Sequence, residues 1–313
     1  MATAAATQWT PPTRTVQERT VSDRILRLRS RYQDGPVYIS IDRARLYTES
    51  WQETEGQRVA PQVRVALAMK RVYERMRHHV DPDDRIAGYW CEYFLGIPVD
   101  IERGVFNDVF AAELTKSRLI RFRTRSTLKG LSYMLRKGDL RAFLRHQRIA
   151  RQSGTAPLNM DLRTMAERAI NPYDIAPDDC TLLLDKLLPY WQGRSVVDQV
   201  QEALIESGLY SKDMHDFVVA LPGNTSRQVF LVSTAVSIAS YQGHVILDYD
   251  VPLRKGLNGM LADVEERCAR HDLTPPQRDF LEAKRLALEG IATFARRLAE
   301  AVADECEHAP LER

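Results

Sequence analysis

His244 and Asp248 are residues of this chain whose types and spacing could do proton chemistry. Read as a strand, residues 244–249 (HVILDY) alternate with period two. His244, Ile246 and Asp248 then share one face, and Val245, Leu247 and Tyr249 share the other. An imidazole and a carboxylate on a common face can move a proton to and from a heteroatom. The same residues also suit a histidine hydrogen-bonded at a sheet edge and an acid at a helix N-terminus. Pro252 fits a first helical turn. Beyond it, Leu253, Leu257, Met260, Leu261, Val264 and Cys268 recur as one apolar stripe, which must pack on a sheet or a helical layer.

Other chemistries lack their signatures. The sequence has no Gly-x-Ser-x-Gly elbow, phosphate loop, Gly-x-Gly-x-x-Gly turn or HExxH pair. Its four cysteines, Cys91, Cys180, Cys268 and Cys306, are widely spaced, with no CxxC pair and no metal-ligand clustering with histidine. Reduced thiols in a cytoplasmic protein account for them. A formal net charge of +2 gives no global pull toward nucleic acid. No window is apolar for the length of a membrane span, and residues 1–20 read as a flexible tail without the apolar run of a signal peptide. The 313 residues suffice for one large domain or two ordinary ones.

The elements that must position the pair are mainly helical. Residues 21–33 form a basic amphipathic helix with Ile25 and Leu28 three apart. ISIDRARLYTESWQETEG reads as a turn into a helix that ends at Gly56, a natural C-terminal cap. A further helix is expected from about Pro61 to Met76. Thr274-Pro275-Pro276-Gln277 has the form of a capping box opening a long helix with Phe280, Ala287, Ile291, Phe294 and Leu298 on it. That helix meets no stop before Pro310, and the closing LER reads as an interrupted sequence.

Three blocks carry a resemblance: ARLYTESWQETEG (44–56), NPYDIAPDDC with LLPYWQGR (171–194), and YQGHVILDYDVPLRKGLNGM (241–260). In type and order they resemble the glycyl radical enzymes, the pyruvate formate-lyase superfamily. The resemblance runs from about residue 21 to the end. It implies an α/β fold, predominantly helical here, forming the N-terminal part of a ten-stranded α/β barrel with an early barrel strand near His244. It also implies that His244 and Asp248 face a small-molecule substrate, where such a pair binds or deprotonates hydroxyl groups. Radical cleavage of a C–C, C–O or C–N bond follows, by an eliminase rather than a ketoacid lyase. Family members are usually dimers and take their organic glycyl radical from a radical S-adenosylmethionine activating enzyme. This chain itself is expected to bind no cofactor and no metal.

The sequence departs from that pattern in three places. Glycyl radical lyases carry a thiyl cysteine in a Gly-Cys-x-Glu setting, which none of the four cysteines here shares. Cys91 follows an aromatic residue and reads as a packed thiol. Arg85-Ile86-Ala87-Gly88-Tyr89 looks like the family's radical loop, yet that loop lies near the C-terminus of family members, so Gly88 reads as part of an earlier element. Finally, a basic helical insertion occupies about residues 105–165. From Lys116 to Arg151 there are twelve Lys or Arg and one acid, Asp139. Phe122, Tyr133 and Phe143 among those cations suit nucleic acid, whereas Leu131, Met134, Leu135 and Leu144 suit amphipathic helices with solvated faces, which is the preferred reading. The expected function is thus the N-terminal fragment of a glycyl radical lyase, inactive alone and completed as a homodimer or by a complementing C-terminal chain. The alternative is a catalytically dead, shortened homologue that serves as a binding or assembly partner.

Overall fold

A computed structural model describes residues 21–104, 112–137, 163–168, 172–208 and 248–308. The chain divides into two compact units, Met1–Gly35 and Pro36–Arg313. In the first, α1 (Asp23–Asp34) is the basic amphipathic helix expected there. Ser30 donates to Asp34 at 3.1 Å, and the Gly35 N–H closes the helix on the Arg31 carbonyl.

The second unit is built on a small parallel sheet. β1 (Val37–Ser40) lies between β2 (Gly96–Pro98) and β3 (Tyr173–Asp174), in register Ile39 to Ile97 and Val37 to Tyr173. Val37, Tyr38 and Ile39 are good strand formers. The buried Ile39 and Ile41 begin the main core. The chain then turns directly into α2 (Asp42–Glu53). Gly56 takes the left-handed conformation expected of a cap, with φ 75°, but the helix stops three residues before it. α3 (Pro61–Arg75) opens on proline, whose missing N–H costs nothing at that position.

α4 (Lys116–Lys137) lies in the basic segment, and the buried Leu119 ties its first turns to the unit. After β3 come α5 (Pro177–Leu182), a π turn (Leu183–Leu187) and α6 (Leu188–Trp191). Pro189 has no N–H, and in a regular helix its ring would crowd the carbonyl four residues back. The wider turn takes up that mismatch and buries Leu183, Leu184 and Leu187. Ser195 and Asp198 form a reciprocal capping box at the start of α7 (Val196–Glu206).

α8 (Asp250–Cys268) and α9 (Pro275–His308) complete the described residues. Gln277 accepts from the Thr274 N–H at 2.9 Å, one half of the expected capping box. α9 packs along α3, α3 along α2, and α8 along α9. The described residues are therefore α/β and predominantly helical, as expected, and among them lies a three-stranded parallel sheet.

Candidate functional site

Asp248 lies just ahead of α8 in neither strand nor helix, and it is exposed. His244 lies outside the described residues. The arm that follows is set apart by Gly256, whose φ of 66° and ψ of 174° break the helix. Only glycine takes that combination at little cost. Asp250 pairs with Arg254 within the arm, and Lys255 reaches over the break to Asp263 at 2.5 Å. The expected six-residue stripe is consequently shortened. Leu257, Met260, Leu261 and Val264 pack with Leu273, Leu281 and Leu288, while Leu253 is 83% exposed and Cys268 is exposed. The break turns Leu253 away from that cluster, and Cys268 ends the helix. Asp248 and Tyr249 thus stand exposed ahead of that break.

A second polar group, missed in the sequence, sits beyond the C-terminal end of β1. Ser40 donates to Glu92 at 2.7 Å, and Arg77 holds the other oxygen of Glu92 at 2.7 Å. Asp42 accepts from the Arg77 backbone N–H at 2.9 Å and from Arg45 at 2.7 Å. Beside them Cys91 is buried, and burial raises its thiol pKa. A Cβ on Gly96 would come within 2.1 Å of that sulfur, so the close approach requires glycine. Each polar group here has its partner inside the protein. The cluster fixes the 77–95 segment to the sheet and presents no nucleophile, in keeping with the packed thiol expected at Cys91. No local pattern signals it, because Glu92 arrives from 52 residues away.

In the same segment Gly88 has φ 138°. Tyr89 meets His79 edge-on at 4.8 Å and donates to Asp84. Ile86 and Trp90 on either side are 86% and 81% exposed. No group of three or more His, Cys, Asp or Glu among the described residues is arranged to hold a metal. Among those residues, too, no helix is long and apolar enough to cross a membrane.

The first two sequence blocks converge in the core. Thr48 donates to the Ala44 carbonyl at 2.6 Å and accepts from the Trp191 indole at 2.8 Å. Tyr47 and Trp51 lie 5.9 and 5.7 Å from the Trp191 ring, and Arg64 covers Trp51 at 3.9 Å. Tyr190 reaches Glu55 at 3.2 Å. A parallel sheet covered by helices, with these blocks locked around one tryptophan, defines a protein of the strand-then-helix α/β class.

Within that class the chain belongs to the pyruvate formate lyase-like family, which matches residues 15–104 and 147–310. This places it in the glycyl radical superfamily. It is 23% identical over 287 residues to the isethionate sulfite-lyase of Oleidesulfovibrio alaskensis, covering 90% of this chain and 27% of that protein. Against the isethionate sulfite-lyase of Bilophila wadsworthia it is 26% identical over 155 residues, 48% of this chain and 18% of the other. Its fold resembles the glycerol-bound B12-independent glycerol dehydratase from Clostridium butyricum, with a TM-score of 0.61 at 17% identity, covering 95% of this chain and 30% of the dehydratase. The hydroxyproline dehydratase from Clostridioides difficile gives a TM-score of 0.56 at 18% identity, covering 95% and 29%. The chain therefore spans less than a third of the length of these relatives.

Proposed function

We propose that this chain forms the N-terminal portion of a cytoplasmic glycyl radical eliminase acting on a small organic substrate. The observation that carries this reading is the family match at both ends of the chain, shared with relatives named for expelling sulfite or water. In this reading His244 and Asp248 face the substrate, one taking a proton from a hydroxyl group and the other supporting the leaving group. The thiyl cysteine and the radical glycine come from a C-terminal portion, since the 313 residues contain no Gly-Cys-x-Glu. A radical S-adenosylmethionine enzyme generates the radical, and the working assembly is a dimer.

The test is anaerobic incubation with an activating enzyme and S-adenosylmethionine, read by electron paramagnetic resonance. We expect no glycyl radical doublet from the chain alone. A doublet and turnover are expected when a C-terminal glycyl radical enzyme chain carrying both motifs is supplied. In that assembly His244→Ala or Asp248→Asn should lower kcat by roughly 10²-fold while the doublet persists. A robust doublet from the chain alone, abolished by Gly88→Ala, would overturn the assignment of roles.

A further inference from the structure

The family match passes over residues 105–146, and α4 lies within that unmatched stretch. Among the described residues, its contacts lie in the first turns. Leu119 is fully buried, Lys116 lies 3.6 Å from Glu167, and Arg118 lies 3.1 Å from Asp185. On the side opposite Leu119, helical spacing brings Arg121, Thr124, Arg125, Leu128, Ser132, Leu135 and Arg136 into one stripe. Every one of them is exposed, with Leu128 at 61% and Leu135 at 60%. Arg121, Arg125 and Arg136 have no ion-pair partner among the described residues.

We infer that this stripe is a docking surface for an acidic amphipathic helix of another protein. The two leucines stand seven residues apart, the interval at which one helix meets another along a seam. Arginines at both ends of the stripe fit carboxylates flanking such a seam. Nucleic acid would use the arginines but leave two large leucines facing polar backbone. A lipid surface would call for a broader apolar face than two leucines, with cations along its margins rather than within the stripe. The inference concerns α4 alone and stands apart from the reading of His244 and Asp248.

The test uses the full chain and a synthetic helical peptide of about three heptads, with leucine along the seam and glutamate beside it. Binding by fluorescence anisotropy should weaken as salt rises. It should fall by about tenfold or more in Arg121→Glu/Arg125→Glu and likewise in Leu128→Ser/Leu135→Ser, with helix content by circular dichroism unchanged. Exchanging the peptide glutamates for lysines should restore binding to the Arg121→Glu/Arg125→Glu chain, a reversal that mere misfolding cannot produce. Absence of peptide binding would overturn the inference. So would tighter binding to a short DNA or RNA duplex or to phosphatidylglycerol vesicles, or peptide binding that survives the leucine substitutions.

Discussion

Trp191 shows how one side chain joins distant parts of this chain. Its indole is buried against Tyr47 and Trp51, and its N–H has Thr48 as acceptor. Trp191→Ala should cost about 3–5 kcal/mol through cavity formation. Thr48→Val keeps the volume but strands the buried indole N–H, at about 1–3 kcal/mol. Urea denaturation would measure both, and equal losses would show that packing and hydrogen bond are not separable in this way. His78 raises a question of pH. It stacks edge-on against Phe294 at 5.0 Å, and its Nε2 is buried with no hydrogen-bond partner among the described residues. Burial, followed by the nearby Arg297 cation, lowers its pKa. The fold therefore favours the neutral ring, and this contribution is present above the unfolded pKa of about 6.5 and lost as pH falls through the lower folded value. Between about pH 7 and about pH 5 the melting temperature should drop more steeply in the wild type than in His78→Phe. Parallel slopes would exclude His78 as the source.

Among the described helices, α3 and α9 share the most extensive contact, and Gly290 lets them lie close together. A Cβ there would lie 2.9 Å from the Lys70 Cα and 3.3 Å from the Tyr73 ring. Lys70 then pairs with Glu289 at 2.6 Å, and Arg297 donates to the Tyr73 and Met76 carbonyls that end α3. Gly290→Ala should destabilise the protein by about 1–3 kcal/mol, although alanine is the better helix former. A gain in denaturation midpoint would mean that the helices can separate without penalty. α3 and α9 were legible in the sequence because proline opens each one and the apolar spacing persists over several turns. The strands were not, because lengths of four, three and two residues carry too little alternation to read, and β1 runs straight into α2. α8 misled in the opposite way. Its spacing looked continuous, but the backbone break at Gly256 decides which leucines reach the core.

Family membership was legible in the molecule as a whole because its signal lies in three blocks of unusual composition, two of which form the tryptophan-centred core. The Ser40, Asp42, Arg77 and Glu92 cluster was illegible for the converse reason, since each member is ordinary in its own segment and only the fold brings them together. Ile86, Trp90, Tyr249 and Leu253 leave large apolar side chains in solvent. At micromolar concentration the chain should therefore sediment above its monomer mass. Ile86→Ser with Trp90→Ser should shift it toward monomer, and a wild type already monodisperse as monomer would contradict this. The α3–α9 contact has a further consequence during synthesis. Lys70 waits for Glu289, 219 residues later, and at about 5–20 residues per second that interval lasts roughly 10–40 s. Throughout it, the α9-facing side of α3 emerges from the ribosome uncovered, a window in which a chaperone has something to hold.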